Sequence, residues 1–320
     1  MATKLSPKEL SKRPDHLASG HRLCAGCGAS IVVRNVLMAA KDSPVVVTAA
    51  TGCLEVSTTI YPFTAWKDSY IHSAFENAAA TISGVDAAVK SLKRQGKLDK
   101  EVKLVAFGGD GGTYDIGLQA LSGALERGHD FVYVCYDNGA YMNTGFQRSG
   151  STPQGAWTTT SPNGKVQQGK TQHRKNLTAI AVAHDIPYVA QASPHNFRDL
   201  QAKAERAFET PGPAFLNVLS PCPRGWRSDP KDAIEHARMM VQSCFWPLYE
   251  VIDGQYVVNF DPKTRKIPVV DWMKLQGRFA HLFKAGNEHI LAEFQDSVDR
   301  EWDRIKTMAS LGGATAGAEE

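Results

Sequence analysis

The chain of 320 residues contains 42% hydrophobic and 22% charged residues, which is typical of a globular protein large enough to bury a hydrophobic core. Its net charge of +3 is too small to favour binding to nucleic acid or to an anionic membrane, and no apolar run approaches the ~20 residues that span a bilayer. Because residues 1–20 are polar and basic and lack the apolar stretch of a secretory signal, we expect a cytoplasmic protein with reduced thiols.

Helices and strands are predicted to alternate along the first two thirds of the chain. Ser6 and Glu9 flank Pro7 in the pattern of a capping box, which predicts a short leading helix. The later elements follow from apolar periodicity and from segment length. The predicted helices span 30–40, 75–95, 116–127, 177–184 and 196–208, and the predicted strands span 45–48, 103–107, 131–136, 187–190 and 214–219. This alternation predicts an α/β fold in which helices flank a parallel sheet.

Two segments depart from this alternation. Residues 144–175 are about thirty mostly polar residues, a pattern typical of a lid, a binding loop or a disordered segment. Beyond Trp226 the pattern predicts a helix, a hairpin around Asp253-Gly254 and a final amphipathic helix. The apolar stripe of that last helix, which predicts a core or subunit contact, consists of Leu291, Phe294, Val298, Trp302 and Ile305.

A glycine-rich turn lies at the end of a predicted strand. Gly109-Asp110-Gly111 separates that strand from a helix, and Asn138 follows 28 residues after Asp110, directly beyond the next strand. The carboxyl ends of parallel strands are where ligands bind, and glycines let the backbone approach a diphosphate closely. Oxygens of Asp110 and Asn138, with the backbone carbonyl of Ala140, would suit Mg²⁺. The pattern favours a thiamine diphosphate–Mg²⁺ site over its alternative, a tight turn with a capping Asn.

Four of the six cysteines fall in predicted loops. Cys24 and Cys27 form a C-x-x-C pair in a glycine-rich loop, and Cys53 and Cys222 lie in loops at other element ends. Such a set suits either tetrahedral Zn²⁺ or a [4Fe–4S] cluster, and spacing alone leaves both open. We favour the cluster because a one-electron carrier beside a thiamine site has a chemical role, whereas zinc there has none. The other two cysteines, Cys135 and Cys244, are interpreted as small buried hydrophobic residues.

At these motifs the sequence closely resembles the beta subunits of multi-subunit pyruvate:ferredoxin oxidoreductases (pyruvate synthases), within the 2-oxoacid:ferredoxin oxidoreductase family. The resemblance extends from about Pro14 to Met308 and covers nearly the whole chain. Its motifs are His21–Ala29, Ala50–Glu55, Gly108–Gly117, Tyr136–Asn138, Tyr141–Gly145, Ser220–Cys222 and Trp246–Glu250. In combination these motifs are highly specific.

The resemblance implies roles for individual residues. It implies a [4Fe–4S] cluster near thiamine, ligated by Cys24, Cys27, Cys53 and Cys222. The diphosphate and Mg²⁺ would be surrounded by Gly109, Asp110, Gly111, Gly112 and residues 138–143, among them Asn138 and Ala140. Ala29 and Cys53 would lie close to the cofactor. Asn143 would be catalytic, as a polar group that faces and orients the reacting carbons.

The resemblance also implies an activity and partners. A 2-oxoacid would be oxidatively decarboxylated to CO₂ and, with coenzyme A, an acyl-CoA, and electrons would pass reversibly to external ferredoxin. Alpha- and gamma-type subunits would complete the thiamine site, and a ferredoxin-like delta subunit or domain would hold the further clusters for which this chain has too few cysteines. Pyruvate is the favoured substrate; branched-chain, aromatic and oxalate-type 2-oxoacids remain alternatives. A zinc-stabilised scaffold and a thiamine-dependent decarboxylase without redox chemistry are the competing hypotheses.

These interpretations divide the chain into four parts. Residues 1–20 are predicted to be an N-terminal arm, and residues 21–225 a domain that binds thiamine diphosphate and the cluster. Residues 226–310 would form a C-terminal extension that contacts the core and the partner subunits. Residues 311–320 are predicted to be a disordered tail.

Overall fold

An eight-stranded sheet organises the chain in the computed structural model, which describes residues 6–312. The strands are β1 (Val45–Ala50), β2 (Ser69–Ser73), β3 (Lys103–Gly109), β4 (Val132–Asp137), β5 (Tyr188–Ala192), β6 (Ala214–Leu219), β7 (Tyr249–Ile252) and β8 (Gln255–Val258). Their order across the sheet is β2-β1-β3-β4-β6-β5-β7-β8, and the first six strands in this order are parallel. The predicted α/β class with a parallel sheet is confirmed.

The helices shield this sheet on both faces. They are α1 (Pro7–Leu10), α2 (Gly28–Met38), α3 (Cys53–Thr58), α4 (Ala78–Arg94), α5 (Leu118–Glu126), α6 (Leu177–Val182), α7 (Phe197–Glu209), α8 (Pro223–Trp226), α9 (Ala233–Gln242), α10 (Val269–Met273) and α11 (Glu288–Leu311). Apolar side chains of α2 and α7 pack on one face, and those of α4, α5, α6 and α11 pack on the other. The predicted capping box is present in α1, where the Ser6 N–H donates to Glu9 at 2.7 Å.

Strands β4 and β6 lie in the middle of the sheet and are buried along their whole length. Their nearly continuous apolar sequences, which made them predictable, are what a strand covered on both faces requires. Strand β2 was not predicted. It lies at the edge of the sheet with three of its five residues exposed, so its sequence carries no apolar run.

Two strands of the C-terminal extension, β7 and β8, join the same sheet, and its helices pack in a hydrophobic cluster of their own. The predicted hairpin is present, with Asp253 and Gly254 both at positive φ in its two-residue turn, and β7 pairs antiparallel with β5. The predicted apolar stripe of α11 is buried at Phe294, Val298 and Trp302. Leu311 still belongs to α11, so the prediction of a tail from 311 began too early; residues 313–320 lie outside the described residues.

The long polar segment 144–175, predicted to be a lid, a binding loop or a disordered segment, is a packed loop. Ser149, Ser151 and Thr152 are buried within it. Lys170 is 2% exposed and donates to the carbonyl of Thr152 at 2.6 Å, which links two parts of the loop that are 18 residues apart. Within the described part of the chain, no helix is both long enough and apolar enough to cross a membrane.

Candidate functional site

The carboxyl ends of β3 and β4 bring the two predicted diphosphate segments together. Gly109 at the end of β3 is paired with Tyr136 near the end of β4, so the residues that follow emerge side by side. The backbone N–H of Asn138 donates to Asp110 Oδ1 at 3.2 Å, and the Asn138 side chain accepts from the Ala140 N–H at 3.3 Å. Adjacent parallel strands thus place the proposed magnesium ligands at one point.

A cleft opens over these two strand ends. It is lined by Thr51, Gly52, Cys53, Phe75, Gly109, Asp110, Gly111, Gly112, Tyr136, Asn138, Ala140, Tyr141, Met142, Asn143 and Thr144. All predicted cofactor-binding residues except Ala29 therefore line one cleft. Ala29 is 2% exposed in the first turn of α2, within the hydrophobic core beside Cys27. The sequence did not single out the aromatic residues Phe75 and Tyr136 as part of the site, because aromatic side chains near strand ends usually belong to the core. Tyr141 lies within the predicted segment 138–143.

The glycines of the turn are required by close packing. Residues Gly111–Ile116 form a π-helix, a conformation that often marks functional sites. A Cβ on Gly111 would lie 2.4 Å from the Tyr141 ring, and a Cβ on Gly112 would lie 2.9 Å from the Phe75 carbonyl oxygen. Only glycine fits at these two positions, so the backbone that would face a diphosphate stays uncovered.

We expect Gly111→Ala to lower the free energy of unfolding by about 1–3 kcal/mol, because the added methyl group would overlap the Tyr141 ring. Gly84→Ala is the matched control, since Gly84 lies within α4 and an added methyl group there meets no atom within 4 Å. The control should be neutral or more stable by up to about 1 kcal/mol. Urea unfolding of both variants is the measurement, and equal stability of the two would contradict the steric argument.

Two buried carboxyl groups lie beneath the cleft. Burial and the neighbouring Asp137 raise the pKa of Asp110 well above its usual range, whereas the hydroxyl of Ser149, which donates to Asp110 Oδ2 at 2.5 Å, opposes that shift. Asp137, in contrast, forms a salt bridge with Arg174, whose Nη2 donates to it at 2.8 Å. A buried carboxylate without a cation is costly, so Asp110 is a site that a divalent cation would stabilise.

The loop 144–175 supplies most of the hydrogen bonds that hold these carboxyl groups. Ser151, which lies in this loop, donates to Asp137 at 2.5 Å. The Tyr114 hydroxyl, which lies outside the loop, also donates to Asp137, at 2.6 Å. Neither Ser149 nor Arg174 was predicted as part of the site. Their sequence surroundings resemble any polar loop, and only the packed structure shows their contacts with Asp110 and Asp137.

The four predicted cluster cysteines come from segments that meet beside the same cleft. The Gly28 N–H donates to the Pro221 carbonyl at 2.8 Å, so the residues next to Cys27 and Cys222 are in direct contact. Cys53, predicted in a loop, is instead the first residue of α3, and it lines the cleft itself. All six cysteines are free thiols.

The pKa values of the thiols also indicate that the four cysteines lie near one another. Burial raises the pKa of Cys53 to about 12, and the thiols of Cys222, Cys27 and Cys24 add to the rise. Burial also raises the pKa of Cys222 to about 12, opposed by a hydrogen bond from the Gly225 N–H. Because a metal ion deprotonates the thiols that bind it, and backbone N–H groups stabilise bound thiolates, these thiols fit ligation to iron.

No group of three or more His, Cys, Asp or Glu side chains within residues 6–312 is arranged to hold a metal ion. The ligation predicted for the four cysteines, and for Asp110, Asn138 and Ala140, therefore stays a prediction. A separate cavity of about 340 Å³ lies between the polar loop and α11, with Arg174, Phe245 and Phe294 in its wall. None of the predicted site residues lines that larger cavity.

Comparison with known proteins gives a consistent result. Residues 50–218 match the family model of the C-terminal, TPP-binding domain of thiamine pyrophosphate enzymes. Pyruvate synthase subunit PorB of Thermotoga maritima is 52% identical over 310 residues, which cover 95% of each chain. PorB of Methanocaldococcus jannaschii is 52% identical over 87% of this chain and 93% of its own. Ketoisovalerate oxidoreductase subunit VorB of Pyrococcus horikoshii is 42% identical over 96% of this chain and 99% of its own.

A solved structure supports the fold independently. The 2-oxoglutarate:ferredoxin oxidoreductase from Magnetococcus marinus aligns with a TM-score of 0.55 and 23% identity, over 74% of this chain and 81% of that chain. At this level of identity the likeness concerns the fold alone.

Proposed function

The chain belongs to the thiamine pyrophosphate-binding, PorB-type subunits of the 2-oxoacid:ferredoxin oxidoreductases, and from this premise we propose that it is the beta subunit of a pyruvate synthase. In this proposal the chain binds thiamine diphosphate with Mg²⁺ and one [4Fe–4S] cluster. Together with partner subunits it converts pyruvate and coenzyme A to acetyl-CoA and CO₂, reversibly, and passes the electrons to ferredoxin.

One observation carries the proposal, namely that Cys53 lines the same cleft as Asp110 and Asn138. The pKa of the Cys53 thiol is also raised by the three other proposed ligand thiols, those of Cys222, Cys27 and Cys24. A diphosphate site and a thiol cluster that share a residue at their border suit the direct transfer of electrons from a thiamine-bound substrate to a cluster. A zinc scaffold would give this shared position no task.

Each proposed site residue has a task in binding or orientation. Asp110, Asn138 and the carbonyl of Ala140 would ligate Mg²⁺, and the bare backbone of Gly111 and Gly112 would receive the diphosphate. Asn143, an exposed residue in the lining of the cleft, would donate to or accept from the substrate and orient it. When bound, thiamine diphosphate supplies the stabilised carbon nucleophile for decarboxylation, and the cluster accepts single electrons.

The cleft is also chemically incomplete, which supports the need for partner subunits. Its described lining contains no lysine, arginine or histidine that would bind the carboxylate of a 2-oxoacid. Bidentate or charged recognition of a carboxylate normally uses such cations. We therefore propose that alpha- and gamma-type subunits provide the substrate carboxylate site, and that a ferredoxin-like delta subunit carries electrons onward to external ferredoxin.

The test is a purification without oxygen of the chain alone and with its partner subunits. We expect a brown lone chain with iron and sulfide, bleached by dithionite and without turnover. The complex should reduce ferredoxin only with coenzyme A, thiamine diphosphate and Mg²⁺ present. Its kcat/KM should be at least about tenfold higher for pyruvate than for 3-methyl-2-oxobutanoate.

Each contrary outcome has its own meaning. A colourless chain without response to thiamine diphosphate would favour the zinc scaffold, and thiamine-dependent decarboxylation without iron would favour the non-redox decarboxylase. Preference for 3-methyl-2-oxobutanoate would move the substrate to the branched-chain class. Turnover by the lone chain would refute the division of the site between subunits.

A further inference from the structure

Arg278 carries a buried positive charge that has no carboxylate partner within residues 6–312. Arg278 is 3% exposed. Its guanidinium lies 4.7 Å from the centre of the Trp226 ring and 5.0 Å from the centre of the Phe279 ring. Its side-chain hydrogen bond runs from Nε to the neutral Gln276 Oε1, at 2.8 Å. A buried charge of this kind is costly unless a negative group nearby offsets it.

The position of Arg278 relates it to both proposed cofactors. Trp226, on which its guanidinium stacks, donates its backbone N–H to the Cys222 carbonyl at 2.9 Å and its ring N–H to the Asn138 carbonyl at 2.7 Å. Arg278 Nη1 lies 3.1 Å from where a Cβ on Gly139 would be. The guanidinium therefore packs on Trp226, and Trp226 is hydrogen-bonded to both Cys222, a proposed cluster ligand, and Asn138, a proposed magnesium ligand.

The carboxyl groups of Asp137 and Asp110 accept hydrogen bonds from donors other than Arg278. Asp137 accepts from Arg174 at 2.8 Å, and Asp110 accepts from Ser149 and Asn138. Burial lowers the pKa of Arg278 to about 9, opposed first by the Cys222 thiol and then by Asp137 and Asp110. A guanidinium remains charged at neutral pH in proteins, and within residues 6–312 no carboxylate accepts a hydrogen bond from this one.

We propose that Arg278 sets the reduction potential of the [4Fe–4S] cluster assigned to Cys24, Cys27, Cys53 and Cys222, an inference that rests on the proposed function. A cluster bound by four thiolates is anionic, and it gains another negative charge when it is reduced. A buried cation nearby stabilises the reduced state more than the oxidised state. The charge of Arg278 would thus make the cluster a better electron acceptor without any contact between Arg278 and the substrate.

The test is a redox titration, followed by electron paramagnetic resonance, of the full-length chain reconstituted with iron and sulfide without oxygen. In Arg278→Met, the ratio of reduced to oxidised cluster at a fixed potential should fall about tenfold, which corresponds to a shift of ~59 mV to lower potential. Arg278→Lys should retain most of the wild-type potential. Arg224→Met removes an exposed arginine two residues from Cys222, and solvent screening should leave its potential unchanged.

A second variant tests the same charge without removing the arginine. Gln276→Glu places a carboxylate on Arg278 Nε with almost no change in shape, and it should lower the potential in the same direction. This variant decides the outcome if Arg278→Met does not fold. Without iron, Arg278→Met should melt no lower than the wild-type chain, because it removes a buried charge with no carboxylate partner.

The outcomes separate this inference from the proposed function. Normal iron content with an unchanged potential in both Arg278→Met and Gln276→Glu would overturn the inference alone. An equal shift in Arg224→Met would also overturn it, because the effect would then depend on net charge. Absence of a cluster in the unmodified chain would overturn both proposals.

Discussion

Replacing Asp110 by asparagine is expected to lower the turnover of the assembled complex by about 10²–10³-fold. Asp110 is fully buried and has no salt bridge within residues 6–312, whereas Asp137 is bonded to Arg174. Its carboxylate is therefore free to offset the charge of Mg²⁺, and an amide would offset none of it. The magnitude is that typical of removing one group that stabilises the charge of a transition state. The measurement is ferredoxin reduction with saturating pyruvate and coenzyme A.

The same variant has a second, opposite expectation that excludes simple misfolding. Without cofactor, Asp110→Asn should melt no lower than the wild-type chain, because it removes a buried carboxylate next to Asp137. The rise in melting temperature that thiamine diphosphate and Mg²⁺ give the wild-type complex should disappear. Asp99→Asn, at an exposed position, is the control and should change neither property. A variant that still responds to Mg²⁺ would place the metal elsewhere.

Replacing Cys222 by serine is expected to remove the cluster and with it ferredoxin reduction, by about a hundredfold or more. Cys222 accepts the Gly225 N–H and lies next to the segment of Cys27, and we propose that its thiol completes the set of four cluster ligands. A serine hydroxyl is a harder and far less acidic ligand, which iron–sulfur clusters do not favour. Iron and sulfide content and the visible spectrum of the variant chain measure the loss.

Cys244→Ala is the matched control for this substitution. Cys244 is also a buried free thiol whose pKa is raised to about 12 by burial, but it belongs to the C-terminal core and lines the separate cavity. We expect this variant to retain the wild-type content of iron. If both substitutions removed iron equally, the effect would be one of stability, and the assignment of Cys222 as a ligand would be wrong.

Most of the diphosphate cleft was predictable because its parts are neighbours in the sheet and follow each other along the chain. Strands β3 and β4 are joined through the π-helix and α5 and pair directly, so a turn after one strand meets a turn after the next. Apolar runs identified both strands, and Gly109, Asp110 and Asn138 mark their ends. The cysteine spacing gave no reason of its own for the segment of Cys222 to pack beside that of Cys27, and the ligand role of these cysteines stays a prediction.

What the sequence determined by itself was the α/β class, the order of most elements and the residue types around the cleft, because hydrophobic periodicity and turn chemistry act between near neighbours. Only the tertiary structure decided that β2 forms an edge and that β7 adds antiparallel to β5. It also decided that Ser149 donates to Asp110, that Arg174 donates to Asp137 and that Arg278 is buried. Those contacts join distant parts of the chain, and their stability comes from burial and charge compensation in the packed molecule, which no local pattern encodes.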